Sequence, residues 1–481
     1  MLFNSLHFLI YFPVVFFLFY RIPQRWRWAL LLAASLYFYM CWKPVYVLLL
    51  LACVACNFVA ARAIAGSARP GVRKAWLWLA LLVSFGILFA YKYLNFFGRV
   101  VLDLAQFLDQ PLQWSALHIL LPVGISFYTF QAVSYTIDVY RGQIPAERSF
   151  GIFLLYVTFF PQLVAGPIER SEALLPQFFR HVTFDCARVV EGLQLMVWGM
   201  FKKVVVADTL ARYVEAVYRS PAELSGGACL FATYLFAFQI YADFSGYSDI
   251  ARGAARTLGF DLMVNFRQPY VSRSIPEFWQ RWHISLSTWF RDYVYIPLGG
   301  NRVSRPLWIR NVLTVFVVSG FWHGANYTFL IWGALHGGYF MASRFTASLR
   351  ERTSAALGLV RRPQLRHALQ VATTFHLVCL AWVFFRASSL QSALDLLKRV
   401  FTDLNVLHPQ VTLARDRFEV WTCLGVVAAM ETVQWLRRRS DLASVLRSLS
   451  RPARWALYLA ALLVIYTFWQ SEGTQFIYFQ F

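Results

Sequence analysis

The sequence predicts an all-α protein that crosses a membrane many times, and three observations carry that prediction. Of its 481 residues, 59% are hydrophobic and only 14% are charged, with a mean hydropathy of +0.50. A water-soluble domain carries about 45–50% apolar and about 25% charged residues. The apolar residues are gathered into runs that approach or reach the roughly 17–25 residues a helix needs to span a hydrocarbon core. The basic residues are gathered in short segments between those runs. In lipid the backbone has no water to bond, so a spanning segment must satisfy its own polar groups, as a helix does.

Taken in chain order, the clear runs are 8–20, 28–42, 45–61, 76–91, 117–137, 369–385, 420–436 and 455–469. Several are short, which implies tilt or ends covered by protein. Segments 21–27, 62–74, 344–366 and 437–454 hold three Arg, four basic residues, six Arg with one Glu, and six Arg with one Asp. Cytoplasmic loops are enriched in Lys and Arg, so these four segments are expected in the cytosol. Counting runs between them puts both termini on the opposite side. The net charge of +21 would otherwise suggest nucleic acid. Its confinement to loops argues against that partner and for the lipid bilayer. The first run has no basic segment before it and no small-residue cleavage site after it, so no cleavable leader is expected. Of the seven cysteines, Cys53 and Cys56 have redox-motif spacing. Both fall within one apolar run, where packing as small hydrophobes is the simpler role.

The chain reads as one membrane domain, 1–481, with a motif-rich core at about 142–345. Runs in the middle third are interrupted by Pro161, Gly166, Pro167, Pro269, Pro276, Pro297, Gly299 and Gly300. Non-helical backbone at membrane depth survives only where protein buries it or where it lines a wet cavity, so a cavity is expected here. Residues 251–310 hold nine Arg and three acidic residues, too many charges to cross lipid. Two amphipathic stretches, 188–208 (carrying Lys202 and Lys203) and 390–401, suit either the membrane interface or packing against neighbouring spans.

Four constellations could carry chemistry. In 276–300, Pro276 suits the first turn of a helix, with Ser274 or Ser272 near the cap. At helical spacing Trp279, Trp282, His283 and Phe290 share a face, while Arg281, Thr288 and Arg291 fall elsewhere. This is either the wall of a polar funnel, with His283 and the arginines meeting an anionic ligand, or an interfacial helix whose arginines meet lipid phosphate. In 320–327, His323 ends the apolar run 312–322 and is followed by Gly324 and Asn326; His336 lies beyond in WGALHGG. An imidazole titrates near neutral pH and suits a general base. A structural histidine, bonded to a carbonyl, a carboxylate or His336, is the plainer alternative. In 241–249, Asp243, Ser245 and Asp249 end an apolar run; intramembrane carboxylates are functional or paired, and the Arg-rich segment after them offers partners. The C-terminal QFIYFQF ends on aromatics, so it docks in its own fold or offers Tyr478 as a hydroxyl nucleophile. No metal-ligand spacing is seen among the histidines.

The motifs FPQLVAGPIER (160–170), DFSGYSD (243–249), FWQRWHISLSTW (278–289) and GFWHG (320–324) together resemble the membrane-bound O-acyltransferase family. The similarity covers nearly the whole chain. It is strongest to the bacterial branch that acetylates exported polysaccharides such as alginate and peptidoglycan; teichoic acid D-alanyl transferases are more distant. The resemblance implies a ring of helices around a thinned centre with a tunnel through it. It equates His323 with the family's signature histidine and His283 with its second histidine. It implies an acyl thioester on the cytosolic side, acetyl-CoA or an acyl carrier protein, and no tightly bound cofactor. It also likens Tyr478 to a C-terminal tyrosine proposed to carry the acyl group in the D-alanylation system.

On this reading the chain is a multi-pass protein of the bacterial inner membrane that moves an acetyl group outward. His323 is the general base, and Tyr478 is a possible carrier. A periplasmic acetyltransferase partner or a polysaccharide hydroxyl receives the group. His283 positions the donor or polarises its carbonyl, and Arg281 and Arg291 meet CoA phosphates. Trp279, Trp282, Asp243, Ser245, Asn326 and His336 complete the expected substrate-binding set. A carrier-fed D-alanyl transferase, or a non-catalytic channel for acyl groups or glycans, are the alternatives.

Overall fold

The structure is a computed structural model that describes residues 1–110, 112, 115, 120–164, 166–403, 417–436, 446–469 and 476–477. The described residues are helical throughout their regular parts, and none is in a strand. Four of the described helices are long and apolar enough to cross a membrane: Tyr46–Gly66, Pro70–Phe107, Gly226–Thr257 and Pro363–Arg386. The protein is thus an all-α, multi-pass membrane protein. Its residues form two compact units, Met1–Met196 with Ser248–Met263, and Val197–Tyr247 with Val264–Phe481.

In the first unit the expected runs become helices Leu6–Arg21, Gln24–Met40 and Tyr46–Gly66. Ser5 caps the first, its hydroxyl accepting from the Phe8 N–H at 3.2 Å, and Pro23 separates it from the second. The run at 76–91 is part of a longer element: Pro70–Leu88 continues through a π stretch, Phe89–Tyr93, into Leu94–Phe107. The run predicted at 117–137 is corrected, because its helix is Ile125–Tyr140. Pro122 and the left-handed Gly124 (φ 75°) delay the start, and a Cβ on Gly124 would stand 2.8 Å from the Leu163 carbonyl oxygen. Residues 117–119 lie outside the described ones.

Asn57 ties three of these helices together. Its amide donates to Ser84 Oγ at 2.8 Å, and its Oδ1 accepts from Thr136 Oγ1 at 2.7 Å. All three side chains are buried, the usual way polar residues join helices in lipid.

The 160–170 motif shows how a broken helix is repaired. Phe150–Thr158 stops at Phe159, and Pro161 opens the next turn, Phe160–Leu163. The Phe160 N–H, which would have bonded within a continuous helix, donates instead to Ser35 Oγ at 3.0 Å. The Tyr156 carbonyl left behind accepts from Gln131 (2.8 Å) and Gln162 (2.7 Å). Side chains replace the lost backbone bonds, as membrane depth requires. The motif ends on Glu169, a buried carboxyl that accepts from the Met263 N–H at 2.7 Å. Burial pushes its pKa up to about 7, with that N–H, Arg252 and Arg170 opposing.

The second unit is built around helix Gly226–Thr257 up to Tyr247, the hairpin Arg305–His323 and Tyr327–Phe345, and helix Pro363–Arg386. The hairpin packs through glycines. A Cβ on Gly320 would lie 2.2 Å from the Phe329 carbonyl oxygen, and one on Gly333 would lie 2.3 Å from that of Phe316. Small residues let the two backbones close on each other. Leu390–Thr402 packs against its neighbours, its Arg399 carbonyl standing where a Cβ on Gly226 would go.

Candidate active site

Ser274 caps helix Ile275–Arg281, its hydroxyl accepting from the Glu277 N–H at 3.3 Å, with Pro276 in the first turn, as the sequence suggested. Glu277 binds Arg273 (3.1 Å) and Arg281 (2.8 Å). Burial raises its pKa, but the Arg273 N–H and both guanidinium groups outweigh that and hold it below the ordinary carboxylate range. Arg281 therefore already has a carboxylate partner, and also donates to the Arg267 carbonyl at 3.2 Å.

The expectation of one helix placing Trp279, Trp282, His283 and Phe290 on a shared face is overturned. The helix ends at Arg281, Trp282 is extended, and His283 sits at φ 43°, ψ 55° before Ile284–Phe290 begins. A left-handed histidine is strained and persists only where its surroundings over-determine it. Asn265 does this. Its carbonyl accepts from the Ile284 N–H at 3.0 Å, and its Oδ1 accepts from Ser285 N (3.1 Å) and Ser285 Oγ (3.0 Å). The same Oδ1 lies 3.3 Å from His283 Nδ1. An oxygen already accepting from a backbone N–H is an acceptor, so Nδ1 carries the ring proton and Nε2 holds the lone pair. Burial holds the His283 pKa down at about 3, so the ring is neutral. Asn265 was missed in the sequence, where it is one polar residue in a charged connector.

His323 is the last residue of Arg305–His323 and is 4% exposed. Gly324 follows because a Cβ there would strike the Phe329 ring at 2.1 Å. The break at His283 turns its ring toward His323, and the two ring centroids are 6.5 Å apart. Trp322, Trp332 and Phe385 surround His323 at 4.9–5.2 Å. Phe244 stands edge-on to His283 at 4.6 Å.

The other expected residues divide. Trp279 and Arg291 line a cavity of about 440 Å³. The cavity also touches Ser287 and Ser319, each four residues from a histidine. Arg291 is 59% exposed at its side chain and pairs with Asp292 at 2.7 Å. Trp282 is buried against Trp382 and Phe266. His336 is fully buried among aromatic rings, with Trp332 at 4.9 Å and Trp279 at 5.0 Å. Asn326 caps helix Tyr327–Phe345 through Thr328 N (3.3 Å) and donates to the Ser388 carbonyl (3.1 Å).

Asp243 does not pair with the Arg-rich segment after it. Its partner is Lys203, at 2.8 Å, from a π stretch, Phe201–Ala207. Asp249 is the residue that follows the expectation, bonding Arg252 at 3.1 Å. Ser245 accepts from Lys202 Nζ at 3.0 Å. Tyr478 lies outside the described residues. Among the described residues no three His, Cys, Asp or Glu side chains gather as metal ligands.

A helical membrane chain that brings two distant histidines together in an apolar shell belongs to a definable class. Residues 144–389, which include both histidines, match the membrane-bound O-acyltransferase family (MBOAT). The chain belongs to that family and is an acyltransferase. Its relatives include the probable alginate O-acetylase AlgI of Pseudomonas aeruginosa, 42% identical over 406 residues, covering 84% of this chain and 75% of the relative. The Pseudomonas putida protein of the same name is 41% identical, over 84% and 80%. The peptidoglycan O-acetyltransferase of Helicobacter pylori is 35% identical over 403 residues, covering 78% and 73%.

Proposed function

We propose that this enzyme carries an acetyl group from cytosolic acetyl-CoA across the bacterial inner membrane to hydroxyls of an exported polysaccharide, directly or through a periplasmic acetyltransferase partner. One observation carries the reading: motifs forty residues apart meet with the His283 and His323 centroids 6.5 Å apart in a water-poor shell. His323 takes the proton of the acceptor hydroxyl while that oxygen attacks the thioester carbonyl. The carbon–sulfur bond breaks, the CoA thiolate leaves with the proton, and an oxygen ester remains. His283, with its lone pair on Nε2, accepts a hydrogen bond. It therefore positions an N–H or O–H of the substrates and does not polarise the carbonyl.

The cavity of about 440 Å³ beside Trp279, Ser319 and Arg291 supports access to a point one helical turn from His323. A second cavity of about 790 Å³, lined by Arg273, Arg350 and Arg366, lies on the segment read as cytosolic, where an anionic donor would arrive. Tyr478 is proposed as a carrier on the far side. A phenol ionises near pH 10, so it too needs an adjacent base. The names of the relatives support a polysaccharide acceptor.

The test is purified His323→Ala supplied with labelled acetyl-CoA and an oligosaccharide acceptor. Ester formation should fall by about 10²–10⁴-fold with thermal unfolding unchanged. Wild-type turnover in that variant would remove the base assignment. Turnover by the wild-type protein only with a carrier-protein thioester would move the donor to that class.

A further inference from the structure

Asp243 divides its two carboxylate oxygens between unlike partners. Oδ1 meets Lys203 Nζ at 2.8 Å, and Oδ2 accepts the backbone N–H of Ile477 at 2.8 Å. Lys203 is held on its other side by Asp208 at 2.9 Å. All three charged side chains are buried, and the contacts on both oxygens hold the carboxylate in one orientation. The motif around Asp243 permits this approach. A Cβ on Gly246 would stand 2.8 Å from the Gly199 carbonyl oxygen and 3.0 Å from Lys203 N, so glycine lets helix Gly226–Thr257 close on the π stretch Phe201–Ala207. π stretches of this kind recur at functional sites.

What the carboxylate holds is the backbone at Phe476–Ile477. Phe476 and Ile477 are almost fully buried. Phe476 packs on Tyr247 at 4.8 Å and on Phe244 at 5.8 Å. Phe244 is the ring that stands edge-on to His283 at 4.6 Å. Phe476 and Ile477 are therefore tied one aromatic ring away from the paired histidines.

We propose that Asp243, held in place by Lys203, is a positioning residue that latches the backbone at Phe476–Ile477 beside the histidine site for acyl transfer. Its use in transfer rests on the proposed role of Tyr478, which follows Ile477 by one peptide bond; the latch itself does not. The helix-to-helix pairing of Lys203 with Asp243 could be had from one oxygen. The second oxygen is what makes the pair a clamp on the Phe476–Ile477 backbone.

The test uses the full-length protein in detergent micelles, with deuterium uptake of the C-terminal peptide measured alongside kcat and KM for acetyl-CoA. Ile477→Pro deletes the N–H donor, together with the buried isoleucine side chain, and leaves the charges intact. Asp243→Asn removes the charge while Lys203 keeps Asp208. Ile477→Val keeps the donor. In the first two, uptake in the tail should quicken about tenfold or more, as for a locally opened segment. In those variants kcat should fall while KM for acetyl-CoA stays at its wild-type value. Ile477→Val should match wild type in both. Unchanged uptake in Ile477→Pro and Asp243→Asn would overturn the latch, and faster uptake with unchanged kcat would overturn its role in transfer. Tyr478→Phe run alongside separates the two ideas. Full activity there would refute the carrier, while deuterium uptake still judges the latch.

Discussion

Replacing Asn265 by alanine removes the one oxygen that answers to Ser285 N, Ser285 Oγ and His283 Nδ1. The serine hydroxyl, 3.5 Å from His283 Nδ1, can turn to accept from the imidazole N–H, but the Ser285 backbone N–H has no such recourse. A buried donor left without a partner costs about 1–3 kcal/mol, so the loss should be of that size, nearer the lower end where water enters the vacated space. The catalytic effect should be larger than global stability alone implies, because the left-handed turn at φ 43° would relax and His283 would move with it. A displacement near 1 Å can cost about a hundredfold in rate. Asn265→Asp keeps an acceptor in the same place and should recover most of the stability. The assay pairs chemical unfolding in detergent with turnover of labelled acetyl-CoA. An alanine variant with wild-type stability and wild-type turnover would refute the claim that Asn265 holds the break.

Other outcomes follow from the same structure. Gly333→Val should destabilise the hairpin strongly, because the new Cβ falls 2.3 Å from the Phe316 backbone oxygen and backbone cannot step aside; unfolding in detergent reads this. Asn57→Ala should cost about 0.6–2 kcal/mol through lost bonds to Ser84 and Thr136, measured the same way, with turnover unaffected. Glu169 has a folded pKa raised to about 7, so its stabilising contribution is complete below the ordinary carboxylate pKa and is lost as pH rises through about 7. Glu169→Gln should flatten that stretch of the stability–pH curve, and an unchanged curve would contradict the burial argument. Tyr478→Phe should block delivery to the acceptor, read as lost ester on the oligosaccharide.

Much of this protein was legible because it is local. Runs of apolar residues became helices Leu6–Arg21, Gln24–Met40 and Tyr46–Gly66 within a few residues of their expected ends. Ser274 and Pro276 announced a helix start because capping depends on neighbours in sequence. The interrupted middle third announced irregular backbone, since proline and glycine act where they stand. His283 and His323 drew notice because a polar ring in an apolar chain needs a reason.

What the tertiary structure decided is which polar groups meet. Nothing in the hydropathy or period of the 278–289 segment shows a helix broken at Trp282, because the break is held by Asn265 from outside it. Nor does the sequence pair Asp243 with Lys203 in preference to the nearby arginines, or give the Ile477 amide to the same carboxylate. Helical periodicity assigns a residue to a face. The partner of a buried charge depends on which helix the packing sets against that face, and in a low-dielectric interior each such charge must find one.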